Sequence, residues 1–257
     1  AFGCRRLNVE PYGGMIYSTW MDRPLSLSGR VALRTEDAFR PRSVLVDFDR
    51  PVCTIPNLAI HMNRKVNEGV SLDAQKDLLP LAGLTGEPRE EGFLLRELAE
   101  EVYCKPEDIL DYELYLYQWE EGAFVGFDDE LLSCPRLDNT TSVRACIQGL
   151  LRSGAGEGLH MAALFDNEEV GSHTKQGAAS ALLPFVLERI YASFSVSRDQ
   201  LLTDIAGGFF LSLDVAHAVH PNSPEKADLV NRPVLGGGVT IKQSASQSYA
   251  GDCETVA

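Results

Sequence analysis

The sequence predicts an α/β protein in two modules, and three observations carry that prediction. An apolar run, LHMAALF (159–165), breaks into the acidic stretch DNEEVGS and then resumes with helical spacing through LLPFVLERIYASF, the pattern of strand, charged loop and helix. From about residue 127 onward helix-like and strand-like segments alternate, as βαβ units do. Before that point the chain is a series of short alternating segments punctuated by Gly, Pro and Asp, the pattern of antiparallel strands and hairpins. The predicted division is a mainly β module over 1–126 and an α/β module over 127–257.

In the first module LNVEPYGGMIYSTWMDR, LSLSGRVALRT, PRSVLVDFDRP and ELYLYQWEEGAFVGF read as strands. Two stretches interrupt them with helical spacing, LLRELAEEVY (94–103) and LAIHMNRKVNEG (58–69). The segment Asp73–Glu91, rich in Leu, Pro, Gly and charge, reads as a mobile loop. In the second module TTSVRACIQGLL reads as a helix entered through Asp138, LHMAALF and FFLSL as strands, and LLPFVLERIYASF as a helix. The chain opens in strand-like alternation without an initiator Met and closes on the start of a helix, so it is expected to be a piece of something longer.

Composition bounds the function. With 257 residues and 44% hydrophobic content the chain can bury a substantial core. A net charge of -14 gives no electrostatic footprint for a phosphate backbone, so nucleic acid is not an expected partner. Its six cysteines are scattered without a CxxC pair, which argues against a zinc ribbon or a disulfide framework and fits a reducing cytoplasm. It contains no apolar run of about 18 residues, so no membrane-spanning helix is expected.

Four acids in the second module share a kind of place. Asp138 precedes a helical stretch, Glu168 and Glu169 follow one predicted strand, and Asp214 follows the other. In a parallel sheet such ends converge on one edge, which predicts a pocket of gathered carboxylates. Carboxylates repel one another, and a cluster of them is normally held by cations. With a few imidazoles they suit a hydrolytic zinc or manganese site. Each acid also has a plainer role open to it: Asp138 as a helix N-cap, Glu168 and Glu169 as solvated acids favoured by the next helix dipole, Asp214 as the cap of a turn. His217 and His220, three apart, would share one side of a helical turn. AHAVH lacks the four-residue spacing and intervening glutamate of a helical zinc motif, so both are expected to be supporting residues rather than ligands.

Five strings in order, LNVEPYGG, IPNLAIHMNR, CPRLDN, FDNEEVGS and SLDVAHAVHPN, resemble the M18 family of aminopeptidases, the aspartyl aminopeptidases, over nearly the whole chain. The resemblance implies a three-layer α/β/α co-catalytic zinc peptidase domain, partial in this chain, with an inserted β-rich dimerisation domain. It implies two zinc ions per complete active site, with other divalent metals possible: Asp138 would bridge them, and Glu169 and Asp214 would each ligate one. Glu168 would be the general base. Lys242 resembles a substrate-pocket lysine for an acidic N-terminal residue of a peptide, and His61 a histidine that the inserted domain reaches into a neighbouring subunit of a homo-oligomer. The family's two zinc histidine motifs are absent from these residues, and Leu213 and Ser223 depart from its pattern. Two other functions stay open: a non-catalytic homologue acting as an oligomerisation or regulatory subunit, and a related co-catalytic zinc aminopeptidase of different specificity.

Overall fold

A computed structural model describes residues 2–86, 91–154, 156–243, 251 and 253–256. They fall into two compact units, one of Ala1–Pro135 with Phe165–Phe185 and one of Arg136–Leu164 with Val186–Ala257. The chain is mixed α/β. Its strands are β1 (Cys4–Arg6), β2 (Leu25–Leu33), β3 (Arg42–Asp47), β4 (Leu81–Leu84), β5 (Ile109–Gln118), β6 (Ala123–Val125) and β7 (Leu131–Ser133). Its α-helices are α1 (Ala74–Asp77), α2 (Phe93–Glu101), α3 (Leu137–Arg152), α4 (Leu182–Ser193), α5 (Arg198–Gly207) and α6 (Cys253–Val256).

The first unit is organised around β2, which pairs antiparallel with β3 on one edge and β5 on the other. Alternation in LSLSGRVAL explains its central place: Leu25, Leu27, Val31 and Leu33 are buried, and Val46 and Phe48 beside β3 extend the same face. α2 closes the layer with Leu98, which is fully buried, while Phe93, Leu94 and Val102 pack against the cluster at helical spacing. Burying each such side chain contributes roughly 1.5–3 kcal/mol. Among the described residues two small antiparallel pairs, β1 with β4 and β6 with β7, make up the remaining sheets.

Three predictions in this unit need correction. The strand expected over LNVEPYGGMIYSTWMDR does not form; residues 7–16 are irregular and lead into one 3-10 turn, Tyr17–Trp20. The helix expected over 58–69 is a set of turns followed by one 3-10 turn, Val66–Glu68. Leu58, Ile60 and Met62 are all more than half exposed, so no apolar face is buried to offset the cost of nucleating a helix. The loop expected over Asp73–Glu91 is ordered up to residue 86: Asp73 caps α1 by accepting from Gln75 N–H at 2.9 Å, Leu78 and Pro80 are buried, and β4 follows. Residues 87–90 of that prediction lie outside the described residues.

The second unit is helical where it is regular. Ser197 caps α5 through Gln200 N–H at 3.1 Å, and Tyr191 Oη donates to Asp204 Oδ2 at 2.8 Å, tying the end of α4 to α5. The strands predicted at LHMAALF and FFLSL do not form: among the described residues every strand lies between Cys4 and Ser133. A strand of a parallel sheet needs neighbours on both edges and cover on both faces. The described residues pair neither run, and Phe209 and Phe210 remain 73% and 72% exposed. Among the described residues no helix is long and apolar enough to cross a membrane.

Candidate functional site

Asp138 and Asp214 come together within the second unit, far apart in sequence. Asp138 sits at the start of α3 but its own backbone is extended (φ -83°, ψ 114°), so regular helix begins after Asn139, and no side-chain cap bond closes that end. The carboxyl of Asp138 is therefore turned to another use than capping, and it lies beside the side chain of Asp214. Two neighbouring carboxylates repel one another, and a cation between or beside them relieves the repulsion. Lys242 supplies one cation, its Nζ lying 2.8 Å from Asp214 Oδ2. This ammonium holds the Asp214 carboxyl below the usual carboxylate range; partial burial opposes it, and the N–H of Val215 adds to it. Asn139 joins the two segments from the side, donating from Nδ2 to the carbonyl oxygen of Leu213 at 3.3 Å.

Glu168 and Glu169 lie in the first unit, in a 3-10 turn, Glu168–Val170, with both side chains exposed. The loop around them is closed by its own backbone: Ser172 N–H donates to Asn167 O at 2.9 Å, Gly171 N–H to Glu168 O at 2.9 Å and Asp166 N–H to Gln176 O at 3.2 Å. The following helix, α4, begins only at Leu182. A helix dipole acts within about one turn of its end, so it does not stabilise these acids, contrary to the plainer role open to them in the sequence.

Of the other predicted residues, His61 is exposed in a turn of the first unit. His217 and His220 are not on a helical turn; His220 Nδ1 instead accepts from Asn222 N–H at 3.2 Å. The structure thus unites Asp138, Asp214 and Lys242 in one unit and Glu168 with Glu169 in the other. Sequence reasoning passed over Asn139 and Asn167, each the neighbour of a predicted acid. The available signal was an Asn beside an acid at a loop-to-element junction, a place where its amide can bridge backbone segments.

The entire chain, residues 1–257, matches the family described as Aminopeptidase I zinc metalloprotease (M18). The chain belongs to the M18 peptidase family. A probable M18 family aminopeptidase 2 of Clostridium novyi is 45% identical over 248 residues, covering 96% of this chain and 57% of that protein. Aspartyl aminopeptidase 4 of Saccharomyces cerevisiae is 36% identical over 283 residues, covering 95% and 57%. Among solved structures, the S. cerevisiae mApe1 dodecamer superposes with a TM-score of 0.69 at 29% identity, over 91% of this chain and 53% of that one. The chain therefore spans a little over half the length of the M18 relatives it matches.

The family implies zinc, and the donors can be tested against it. Asp138 and Asp214 are of the right kind, exposed carboxylates, with Asp214 paired to the Lys242 ammonium. They fall short in number: a catalytic zinc usually takes three protein ligands, and among the described residues no three His, Cys, Asp or Glu side chains are grouped to hold a metal ion. By themselves these two carboxylates do not make a complete zinc site.

Proposed function

We propose that this chain is the larger part of a zinc-dependent aminopeptidase that releases N-terminal Asp or Glu from peptides. Support comes from its M18 membership, from relatives named aspartyl aminopeptidases, and above all from the meeting of Asp138 with Asp214. That carboxyl pair is the observation that carries the proposal, because it brings together, from segments far apart in sequence, two oxygen donors of the type a zinc ion takes. In the proposed arrangement residues 127–257 belong to a three-layer α/β/α metallopeptidase domain, and 1–126 form an inserted β-rich domain through which copies associate. Asp138, Glu169 and Asp214 are the zinc ligands this chain contributes, and the remaining donors come from outside the described residues.

Glu168 acts as general base, accepting a proton from the water that attacks the carbonyl of the substrate's first residue and passing it to the departing amine. Lys242 offers its ammonium to the acidic side chain of that residue, and His61 serves the site of a neighbouring copy. One structural relative is a dodecamer, which supports a homo-oligomer.

Replacing Glu168 with Gln in the zinc-loaded full-length protein tests the assignment. We expect turnover of an N-terminal Asp peptide to fall by roughly 10²–10⁴-fold with metal content unchanged; normal turnover would remove Glu168 as base. Equal rates on acidic and neutral N-termini would overturn the specificity. A second possibility, that the chain acts as a metal-free oligomerisation subunit, is favoured by the incomplete donor set, and stoichiometric zinc in the purified protein would exclude it.

A further inference from the structure

We infer that Tyr12 is a positioning residue for the acidic pair Glu168–Glu169, acting through Asn167, with Gly13 as the seat of the loop; this rests on the role proposed for Glu168. All of these residues belong to the first unit.

Asn167 immediately precedes the pair and sits in the left-handed region (φ +62°, ψ 30°), which Asn enters more readily than most residues. Its amide is used at both ends. Nδ2 donates to the hydroxyl of Tyr12 at 2.7 Å, and Oδ1 accepts from Thr174 Oγ1 at 2.7 Å. Its backbone N–H donates to Asp166 Oδ1 at 2.8 Å and its carbonyl accepts from Ser172 N–H at 2.9 Å. With side chain and main chain both tethered, the direction in which the chain leaves toward Glu168 is set at this residue.

The next residue along from Tyr12 touches the second acid. Gly13, at φ +69°, lies so close to Glu169 that a Cβ there would meet its carbonyl oxygen at 2.8 Å and its Cβ at 2.9 Å. Tyr12 is held in turn: its ring stands edge-on to Tyr115 with centroids 5.6 Å apart at 89°. The Tyr115 hydroxyl donates to Glu113 Oε1 at 3.1 Å, and Glu113 accepts from Arg30 Nε at 2.6 Å. Arg30 and Glu113 face one another across β2 and β5, so the loop carrying the acids is referenced to the most thoroughly paired strands of the unit. A general base needs this reference, since misplacement by about 1 Å can cost on the order of a hundredfold in rate.

The test uses Tyr12→Phe, which removes one hydroxyl, and Asn167→Gly, which keeps the left-handed backbone while removing both side-chain bonds. In the zinc-loaded full-length protein each should lower kcat about tenfold with KM within about twofold, and the double variant should be no slower than Asn167→Gly alone. Hydrogen exchange of the amides in 165–177 should quicken about tenfold in both variants while β2 stays protected. That measurement does not depend on turnover. Wild-type kcat and wild-type loop exchange in Tyr12→Phe would overturn the inference, as would losses that multiply in the double variant or a KM rise that accounts for the whole effect. Glu168→Gln run alongside separates the two assignments: if it is inactive while Tyr12→Phe behaves as wild type, only the positioning role fails, and if it is active the role of Glu168 fails first.

Discussion

The two units of this chain are built on opposite terms. In the first, β2 finds both of its partners within the described residues, and a core forms around Leu25, Val31, Phe48, Cys53 and Leu98. In the second, Leu201 is the only buried residue among those described, and segments as apolar as FFLSL lie open. The difference is one of topology more than of composition. An antiparallel sheet of three strands can be satisfied by a hairpin and one return strand, as β3, β2 and β5 show, whereas the runs at 159–165 and 209–213 meet no strand among the described residues.

Leu25→Ala breaks this comparison most severely. Leu25 is fully buried at the start of β2, so in this 257-residue chain the substitution should cost about 2–5 kcal/mol in chemical denaturation. Leu211→Ala, at a residue 67% exposed, should stay within about 0.5 kcal/mol. Comparable losses from the two would mean that the second unit has a core of its own.

The same contrast separates what could be read from the residues from what could not. β2, β3, β5 and α2 were legible because alternation or helical spacing coincided with a burial partner close at hand, whereas α3 and α4 were legible from helical spacing alone, neither burying a residue. The runs at 159–165 and 209–213 have as strong an apolar signal and form no strand, since periodicity reports the appetite for burial and is silent on whether a partner exists. At 58–69 helical spacing was present, but no surface faces it. In the site, acids were legible by type; the sequence expected Asp138 and Asp214 to meet at the edge of a sheet, but the strand that would have placed Asp214 there does not form. The tethers were not: Tyr12, Asn139 and Asn167 work through single polar bonds to distant segments, and a polar residue in a loop leaves no periodic trace.

Thiol chemistry sharpens the comparison on a second axis. Cys53 is buried in the core, and burial pushes its thiol up to about 11 from an ordinary 9.0, about a hundredfold less thiolate at a given mildly alkaline pH. Cys253, exposed in the second unit, carries no such burial. With a maleimide or disulfide reagent at pH 8, Cys253 should label at least about a hundredfold faster than Cys53, followed by mass spectrometry of the digested protein. Addition of denaturant should bring Cys53 to parity at the midpoint where β-sheet signal is lost. Equal rates under native conditions would show that the first unit opens as freely as the second.

The smallest effect expected concerns the pair that references the acidic loop to the sheet. Arg30 donates to Glu113 and holds its carboxyl below the ordinary 4.5, with the Tyr115 hydroxyl adding to the effect and partial burial opposing it. A carboxyl whose pKa is depressed by folding contributes stability that is complete above its unfolded value and drains away as pH falls through its folded one. Both side chains are more than two-fifths exposed, so solvent screens the pair and its worth is about 0.5–1 kcal/mol at most. Glu113→Gln should therefore lower the urea midpoint slightly at pH 7, by the same amount at pH 6, and by progressively less below about pH 4.5 until the two proteins coincide. High salt should narrow the gap at neutral pH in the same way. A gap that persists unchanged to pH 3 would place the contribution of Glu113 in packing against Tyr115 rather than in its charge, and the support of Tyr12 would then pass through ring contact alone.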